Sequence, residues 1–467
     1  MFRSLQNSLL RNTGTLACLV VLVAAGAASL CAEPITTKEG VLPPGTELNE
    51  DALDRPTELF ESELAGGRRS YLLNLGDMLF SSPAILGGVA RQAGMSCATC
   101  HQQGGGNARL FVPGMSSRAG NFDTTGPLFN PKADNGVFDP VRAPSLRGAK
   151  YLAPYGHDGR FASLRDFVRN VIVNEFAGGE PSQQVLDGLV AYIHEIAFLP
   201  NAKLSPDGRL TGKASVAARR GEILFERPFP QDASMSCATC HVPSGAFVDH
   251  RTHDVGTGGL QKTPTLLNAN LNAPYFHDAR YGNYAEAVAY FDRHFRLGLS
   301  ERDRADLVAY LDAVGGADEP YTRNAVQAGL DELRDFSSVL DRAIPERNLE
   351  VIALAADTVG GEWRELGEKF PGRADTTVKG GMAERERARA AVRGVVLAIR
   401  RISMAAEKRD FAMAAEAYDS YRREASAAAD DLKKAEPWSL YNPKIWEAHF
   451  EAVKQLADIA REKSGRK

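Results

Sequence analysis

A seven-residue sequence, Met-Ser-Cys-Ala-Thr-Cys-His, occurs twice in this chain, at residues 95–101 and 235–241. The Cys-x-x-Cys-His pattern within it is the signature of c-type haem attachment, in which two thiols form thioethers and the adjacent histidine binds the iron. Because such a haem is covalently held, each half of the chain has to fold around one. The residues that we predict to hold two covalently bound haem c groups are Cys97, Cys100, His101, Cys237, Cys240 and His241.

Cysteine pairs with this spacing also occur in structural zinc sites and in redox dithiols. A four-cysteine zinc shell needs a second pair of cysteines. Each copy of the motif is complete without the other, and no second cysteine pair lies near either copy in the sequence. Two identical copies in a chain that carries an export signal favour covalent haem over both alternatives.

The amino-terminal segment is typical of an export signal. Two arginines precede an apolar run at about residues 16–30, and small residues follow it. The run is short for a membrane span, which favours a cleaved signal over a membrane anchor. Cys18 and Cys31 are the only cysteines outside the haem motifs, so cleavage after Ala32 would leave every remaining cysteine in a motif. We therefore predict a signal peptide over residues 1–32 and a periplasmic protein.

The charge of the chain is nearly balanced. The 55 lysines and arginines and the 59 aspartates and glutamates give a formal net charge of -4 at pH 7. This balance does not favour nucleic acid as a partner. At 467 residues the chain is long enough that more than one domain is expected.

The haem motifs belong to a longer internal repeat. The first half carries about twenty more residues than the second between its haem motif and its Ala-Pro-Tyr turn, and these fall in a segment rich in glycine and asparagine at 104–136. Such a composition predicts a long loop, which we place over the first haem. The matching segments outside the motifs are 75–80 with 220–225, 143–146 with 263–266, 153–160 with 273–280 and 189–193 with 307–311.

Each half of the repeat predicts a small helical cytochrome c domain. A helix leads into the haem motif, a loop rich in proline and glycine follows, and a helix at 181–198 or 300–314 closes the unit with apolar residues at helical spacing. The expected fold class is therefore all-α, with two tandem cytochrome c-like haem domains at 33–205 and 206–318 and a helical bundle after them.

The order of these landmarks resembles the bacterial dihaem cytochrome c peroxidase family and its relative, the MauG-type dihaem oxidase that modifies a partner protein. Pro-Ser/Thr-Leu, then Ala-Pro-Tyr-x-His-Asp, then Leu-Val-Ala-Tyr carry the resemblance, over roughly residues 75–316. It implies two cytochrome c domains whose haems face a shared interface. It also implies reduction of hydrogen peroxide to water at the first haem, with electrons that enter through the second from a small cytochrome c or copper protein.

The resemblance implies one catalytic carboxylate, Glu175. The peroxidatic pocket of the family holds a glutamate some eighteen to twenty residues past the position of His157, followed by an apolar residue, and Glu175-Phe176 stands there. Cleavage of peroxide needs a group that moves a proton from one oxygen to the other, which a carboxylate in an apolar pocket does well. The apolar run at 171–173 fits such a pocket, and a surface glutamate at a helix end is the alternative.

The distal haem ligands depart from the family pattern. The peroxidases place a histidine after the first motif, but none occurs between His101 and His157, which leaves Met115 or an open iron. At the second haem the family places a methionine, or in the oxidase a tyrosine. Tyr290 stands at that position here, with His294 one helical turn beyond it, and we favour His294 as the ligand. Either ligand would lower the haem potential relative to methionine.

The interface between the haems departs from the pattern as well. The family has a tryptophan at the position of His157, whereas all three tryptophans of this chain lie in the tail. We expect His157 and His277 to fix their loops and to bind haem propionates rather than iron. The resemblance also implies a calcium ion on backbone carbonyls near the second Ala-Pro-Tyr turn, which would involve Asn272 and Pro274.

The tail at 319–467 changes character, because glycine becomes sparse and alanine, glutamate, arginine and lysine dominate. It contains no cysteine, so it holds no third haem c. Four or five helices in an up-and-down bundle are expected. Such a tail can dock a donor, bind a partner, mediate assembly such as a homodimer, or simply stabilise the protein. The predicted helices are 330–340, 349–366, 382–404, 411–428 and 446–459.

Three functions agree with these observations. A peroxidase is favoured by the repeat, the landmarks and Glu175. A MauG-type oxidase is favoured by Tyr290 and by the missing methionine at the second haem. A dihaem electron carrier without catalysis would follow if Met115 and His294 closed both irons. We expect the peroxidase.

Overall fold

The computed structural model describes residues 41–48, 53–375 and 377–452. Helices dominate it, and the strands of this described part form three short antiparallel pairs. The predicted all-α class is therefore confirmed. The predicted signal peptide lies outside the described residues. Among the helices that are described, none is long and apolar enough to cross a membrane.

The helices fall into three groups along the chain. The first haem domain contains α1 (Glu61–Leu64), α2 (Tyr71–Phe80), α3 (Gly88–Gln92), α4 (Cys97–Cys100), α5 (Leu164–Asn170) and α6 (Gln183–Glu195), with a π-helical turn, Val171–Glu175, after α5. The second contains α7 (Val216–Glu226), α8 (Cys237–Cys240), α9 (Tyr284–His294) and α10 (Glu301–Gly315). The tail contains α11 (Val326–Ser337), α12 (Leu340–Ala343), α13 (Leu349–Glu368), α14 (Met382–Glu407) and α15 (Phe411–Ala435).

The strands are short and pair in hairpins or across the chain. One pair brings a strand near the start of the first domain against a strand at the start of the tail. The pairs are β1 (Asp54–Pro56) with β6 (Tyr321–Arg323), β2 (Asn121–Phe122) with β3 (Val141–Arg142), and β4 (Thr252–Asp254) with β5 (Leu260–Lys262).

The closing helices of the two haem domains begin one or two residues later than the sequence pattern indicates. The hydroxyl of Ser182 accepts a hydrogen bond from the Val185 amide, and that of Ser300 accepts one from the Asp303 amide. Each serine therefore caps its helix and fixes the starting residue.

In both haem domains a glycine lets the leading helix cross the closing helix at close range. A Cβ added at Gly76 would overlap the carbonyl oxygen of Gly188, where α2 meets α6. A Cβ added at Gly221 would overlap the carbonyl oxygen of Asp306, where α7 meets α10. Gly76 and Gly221 are partners in the repeat, so the same close crossing is built twice.

We expect Gly221→Ala to destabilise the second domain by about 1–3 kcal/mol, because the new methyl meets rigid backbone. Chemical denaturation followed by far-ultraviolet circular dichroism measures the change. Gly212→Ala is the matched control, since a Cβ at Gly212 meets no atom within 4 Å. An unchanged midpoint in Gly221→Ala would contradict the close crossing.

The Ala-Pro-Tyr turns have the same backbone in both halves. The Ala153-Pro154 and Ala273-Pro274 bonds are both cis. Each turn is closed by an antiparallel bridge, Tyr155 with Phe161 in the first half and Tyr275 with Tyr281 in the second. The repeat seen in the sequence is therefore a repeat of local structure.

The tail packs against the first haem domain. α11 and α13 both contact α2. One continuous apolar core joins Leu75 and Phe80 of α2 with Phe336 and Trp363 of the tail. The tail is thus built onto the first half of the chain, while the domain boundaries at 205 and 318 stay predictions.

Within the tail, α13, α14 and α15 pack in sequence as neighbours, as an up-and-down arrangement requires. The helix predicted at 330–340 is present as α11, but it begins earlier, at Val326, and ends earlier, at Ser337. The hydroxyls of Ser337 and Ser338 turn back to the carbonyls of Arg334 and Asp335, which ends the helix there. Of the last predicted helix, residues up to 452 are described, and 443–452 are helical.

Candidate haem sites

The two haem motifs form matching helical turns, α4 and α8. Ser96 and Thr99 bond reciprocally as a capping box at the start of α4, with the Ser96 amide donating to the Thr99 hydroxyl at 3.0 Å. Ser236 and Thr239 repeat the arrangement at 2.9 Å. This explains why seven residues recur rather than the five of the haem signature, since serine and threonine hold the turn that presents the cysteines.

Each motif histidine is held through one ring nitrogen. His101 Nδ1 donates to the carbonyl of Pro144 at 2.9 Å, and His241 Nδ1 donates to the carbonyl of Phe247 at 3.2 Å. Burial lowers the pKa of His101 to about 4 and lowers the pKa of His241 as well, so both rings are neutral. These bonds place the proton on Nδ1 and leave Nε2 as the nitrogen that binds iron, as a haem ligand requires.

The motif cysteines also fit haem better than the alternatives. None of these four described cysteines forms a disulfide bond, as thioether formation requires. Burial raises the pKa of Cys97 to about 12 and that of Cys237 to about 12. A redox dithiol instead needs a thiolate with a lowered pKa. The residues of both motifs therefore fit haem c.

An aromatic pair lies behind each of these histidines. The Phe80 ring lies 6.3 Å from the His101 ring and 4.9 Å from the Tyr192 ring. In the second half the Phe225 ring lies 6.4 Å from His241 and 4.8 Å from Tyr310. Tilted aromatic contacts of this kind fix the position of each histidine against the closing helix.

Glu175 is buried beside the apolar core of the first haem domain. It ends the π-helical turn after α5, and 8% of its surface is exposed. Its Oε1 accepts from Asn170 Nδ2 at 3.1 Å and lies 3.5 Å from Arg160 Nη2. Burial raises the pKa of Glu175, and Arg160 lowers it. The side chain is therefore a buried carboxyl with one cation beside it, and not a surface glutamate. Sequence reasoning missed Arg160, whose only signal was its place in the Ala-Pro-Tyr segment.

The long loop of the first half packs against the residues on either side of Glu175. The Phe122 and Phe129 rings of this loop lie 6.3 Å and 5.2 Å from the Phe176 ring. Asn130 Nδ2 donates to the Asn174 carbonyl at 2.6 Å, which ties the loop to the π-helical turn. The loop thus holds the end of the π-helical turn, where Glu175 lies, in place.

Met115 lies on the same loop and is 4% exposed. It belongs to one apolar cluster with Cys100, Phe122 and Phe176. The structure therefore brings Met115 into the core beside the first motif. Its binding to the first iron stays a prediction.

Tyr290 and His294 lie side by side on α9. Their rings stack with centroids 5.7 Å apart and planes 9° apart. The Tyr290 hydroxyl donates to the Val255 carbonyl at 2.5 Å, and both side chains lie against Gly256 of the same loop. The structure confirms that the two share one helix face, and the choice of iron ligand between them stays a prediction.

A family model described as di-haem cytochrome c peroxidase matches residues 71–197 and 218–314. The duplicated haem region belongs to this family. Membership in this dihaem family implies the haem c groups predicted at the two motifs. It also identifies the region as that of a haem oxidoreductase, a class that contains both peroxidases and MauG-type oxidases.

Two curated relatives of this dihaem region are similar at modest identity. The hydrazine synthase subunit gamma of Kuenenia stuttgartiensis is 28% identical over 308 residues, which cover 53% of this chain and 78% of the relative. The methylamine utilization protein MauG of Methylorubrum extorquens is 26% identical over 296 residues, which cover 51% of this chain and 77% of the relative. The solved structure of Kuenenia stuttgartiensis hydrazine synthase under xenon matches with a TM-score of 0.39 at 22% identity, over 52% of this chain and 88% of that chain.

His157 and His277 meet between the two haem domains. Their ring centroids lie 6.4 Å apart. His157 Nε2 donates to the carbonyl of Arg142 at 2.7 Å, so this ring fixes the segment ahead of its own Pro-Ser-Leu landmark. The dihaem family's tryptophan position is thus filled by a histidine that is already bonded to protein. Propionate binding by either ring stays a prediction.

The carbonyl expected to bind calcium has a different partner in this dihaem protein. The Asn272 carbonyl accepts from Arg142 Nη1 at 2.6 Å. A guanidinium in hydrogen-bond contact excludes a cation from the same carbonyl oxygen, so Asn272 does not fit the expected calcium site. Sequence reasoning missed Arg142, although it stands directly before the Ala-Pro-Ser-Leu landmark.

Proposed function

We propose that this protein is a periplasmic dihaem c-type peroxidase that reduces hydrogen peroxide to water. Its electrons would come from a small redox protein, either a cytochrome c or a copper protein. Each peroxide takes up two electrons and two protons and yields two water molecules. Family membership supports oxidoreductase chemistry in general, and the assignment to peroxide rests on the first haem domain.

The observation that carries the proposal is the buried carboxyl of Glu175. Glu175 is 8% exposed, next to Phe176, whose ring packs on Phe129 of the first domain's extra loop, and burial raises its pKa. A carboxyl that can both take up and release a proton is suited to the proton transfer that peroxide reduction needs.

A haem held at the first motif by Cys97, Cys100 and His101 would supply the redox chemistry of peroxide reduction. Glu175 would take a proton from one peroxide oxygen and return it to the oxygen that leaves as water. Asn170, at 3.1 Å, orients the carboxyl, and Arg160 stabilises its ionised form.

Turnover of the haem-loaded protein with hydrogen peroxide and a reduced small cytochrome c tests the proposal. We expect catalytic oxidation of the donor after the protein has been half reduced. A long-lived oxidised protein that leaves the donor reduced would favour a MauG-type oxidase instead, which the Tyr290 side chain on α9 allows. If the protein does not react with peroxide, it is an electron carrier and the proposal is wrong.

We expect Arg160→Leu to shift the pH dependence of peroxide reduction. Glu175 has to be ionised to take a proton from peroxide, so the rate falls as pH falls through its pKa. Arg160 lowers that pKa. Its removal raises the pKa, and the falling limb of the pH profile moves to higher pH. Arg160→Lys keeps the positive charge and should leave the limb near its original place, whereas an unmoved limb in Arg160→Leu would separate Arg160 from the proton transfer.

A further inference from the structure

The two haem domains meet through backbone bonds that are reciprocal. The Arg142 amide donates to the His277 carbonyl at 2.7 Å, and the Lys262 amide donates to the His157 carbonyl at 2.7 Å. Arg142 and Lys262 are partners in the repeat, each standing directly before its x-Pro-Ser/Thr-Leu landmark, and His157 and His277 are partners as well. The two halves are therefore related by a local twofold axis at this interface, as two copies in a symmetric dimer would be.

The side chains of the same two residues repeat this exchange. Arg142 Nη1 donates to the Asn272 carbonyl at 2.6 Å, and Lys262 Nζ donates to the Leu152 carbonyl at 2.7 Å. Leu152 and Asn272 each stand directly before an Ala-Pro-Tyr turn and are again repeat partners. Each domain thus places a cationic side chain on the equivalent backbone carbonyl of the other domain.

These cations are desolvated and have no acidic partner among the described residues. Burial lowers the pKa of Arg142 to about 10 and that of Lys262 to about 8, and no carboxylate contributes to either shift. Backbone carbonyls are the groups that stabilise both charges. A calcium ion between two domains is likewise bound by neutral oxygens such as backbone carbonyls.

Asn272 offers a second oxygen to a cation at this place. Its Oδ1 is buried without a hydrogen-bond partner, as is Nε of Arg142. Asn272 therefore has a carbonyl oxygen bound to the guanidinium and a buried side-chain oxygen that is still available to a cation. Calcium prefers such oxygens, and the guanidinium excludes it by occupying the carbonyl.

We propose that the Arg142 side chain takes the place of a calcium ion between the two haem domains, with Lys262 as its twofold counterpart. The interface between the haems is then held by the chain itself and does not depend on a bound metal. This inference is independent of the proposed peroxidase activity, since it concerns only how the two domains are held together.

The test compares the haem-loaded parent with Arg142→Ala by metal analysis, calcium titration calorimetry and thermal unfolding. We expect the parent to contain no calcium and to keep its Tm when a calcium chelator or calcium chloride is added. In Arg142→Ala we expect Tm to fall by several degrees, calcium to bind, and the added calcium to restore part of the lost Tm.

Arg118→Ala is the matched control, because it removes the same charge from an exposed side chain of the first domain. It should keep the parent's Tm and gain no affinity for calcium. A parent that is purified with calcium, or that loses Tm in a chelator, would overturn the proposal whether or not the variant folds. An Arg142→Ala protein with the parent's Tm, or one that binds no calcium, would overturn it too.

Discussion

Glu175→Gln is expected to lower the rate of peroxide-driven donor oxidation by about 100-fold, the lower end of what a positioned proton-transfer group contributes. The amide keeps the size of the carboxyl and its bond to Asn170. It cannot take up a proton, so only the transfer between the two peroxide oxygens is lost. Steady-state turnover of the haem-loaded variant with a reduced small cytochrome c measures the loss.

Glu180→Gln is the matched control for this variant. Glu180 lies five residues away on the surface, where it pairs with Arg169. Turnover in Glu180→Gln should equal that of the parent. If Glu175→Gln also keeps the parent's rate, the proton moves through another group and the assignment of Glu175 is wrong.

Removing the cysteines of either motif is expected to take away one covalent haem and one part of the reaction. The variant with Cys97→Ala and Cys100→Ala should lose the reaction with peroxide altogether. The variant with Cys237→Ala and Cys240→Ala should still react with peroxide but should no longer oxidise the donor catalytically, because the proposed reaction takes its electrons in through the second haem. A haem-stained denaturing gel and stopped-flow absorption of the same samples measure both effects.

Far-ultraviolet circular dichroism of the two cysteine variants shows whether each retains its helices. The opposite pattern, with peroxide reactivity lost from the variant of the second motif, would assign the peroxide site to the other domain. Equal loss from two well-folded variants would mean that the haems do not divide the reaction between them.

Short-range sequence patterns predicted those features of the fold that depend on residues close together in the chain. The haem motif fixes two cysteines and a histidine within one helical turn, and the order of landmarks predicts the helices around it. Burial of Glu175 was also predictable, since apolar residues flank it in the sequence. The repeat glycines Gly76 and Gly221 carried a usable signal too, because only a close helix crossing requires glycine at both places.

The contacts between domains could not be predicted in this way. The bond from Arg142 to the Asn272 carbonyl joins residues 130 positions apart, and nothing in either neighbourhood specifies the other. The packing of α11 and α13 on α2 was missed for a related reason. Apolar spacing shows that a helix face is buried but not which surface covers it.

The spin state of the two irons tests the central claim most directly, namely that the first motif and Glu175 form a peroxide site. Electron paramagnetic resonance spectra of the haem-loaded protein would be recorded at rest, after half reduction, and after peroxide is added. We predict a high-spin iron at the first motif, at rest or after half reduction, that peroxide consumes. Two low-spin irons that stay unchanged through half reduction and peroxide would contradict the claim and identify the protein as an electron carrier.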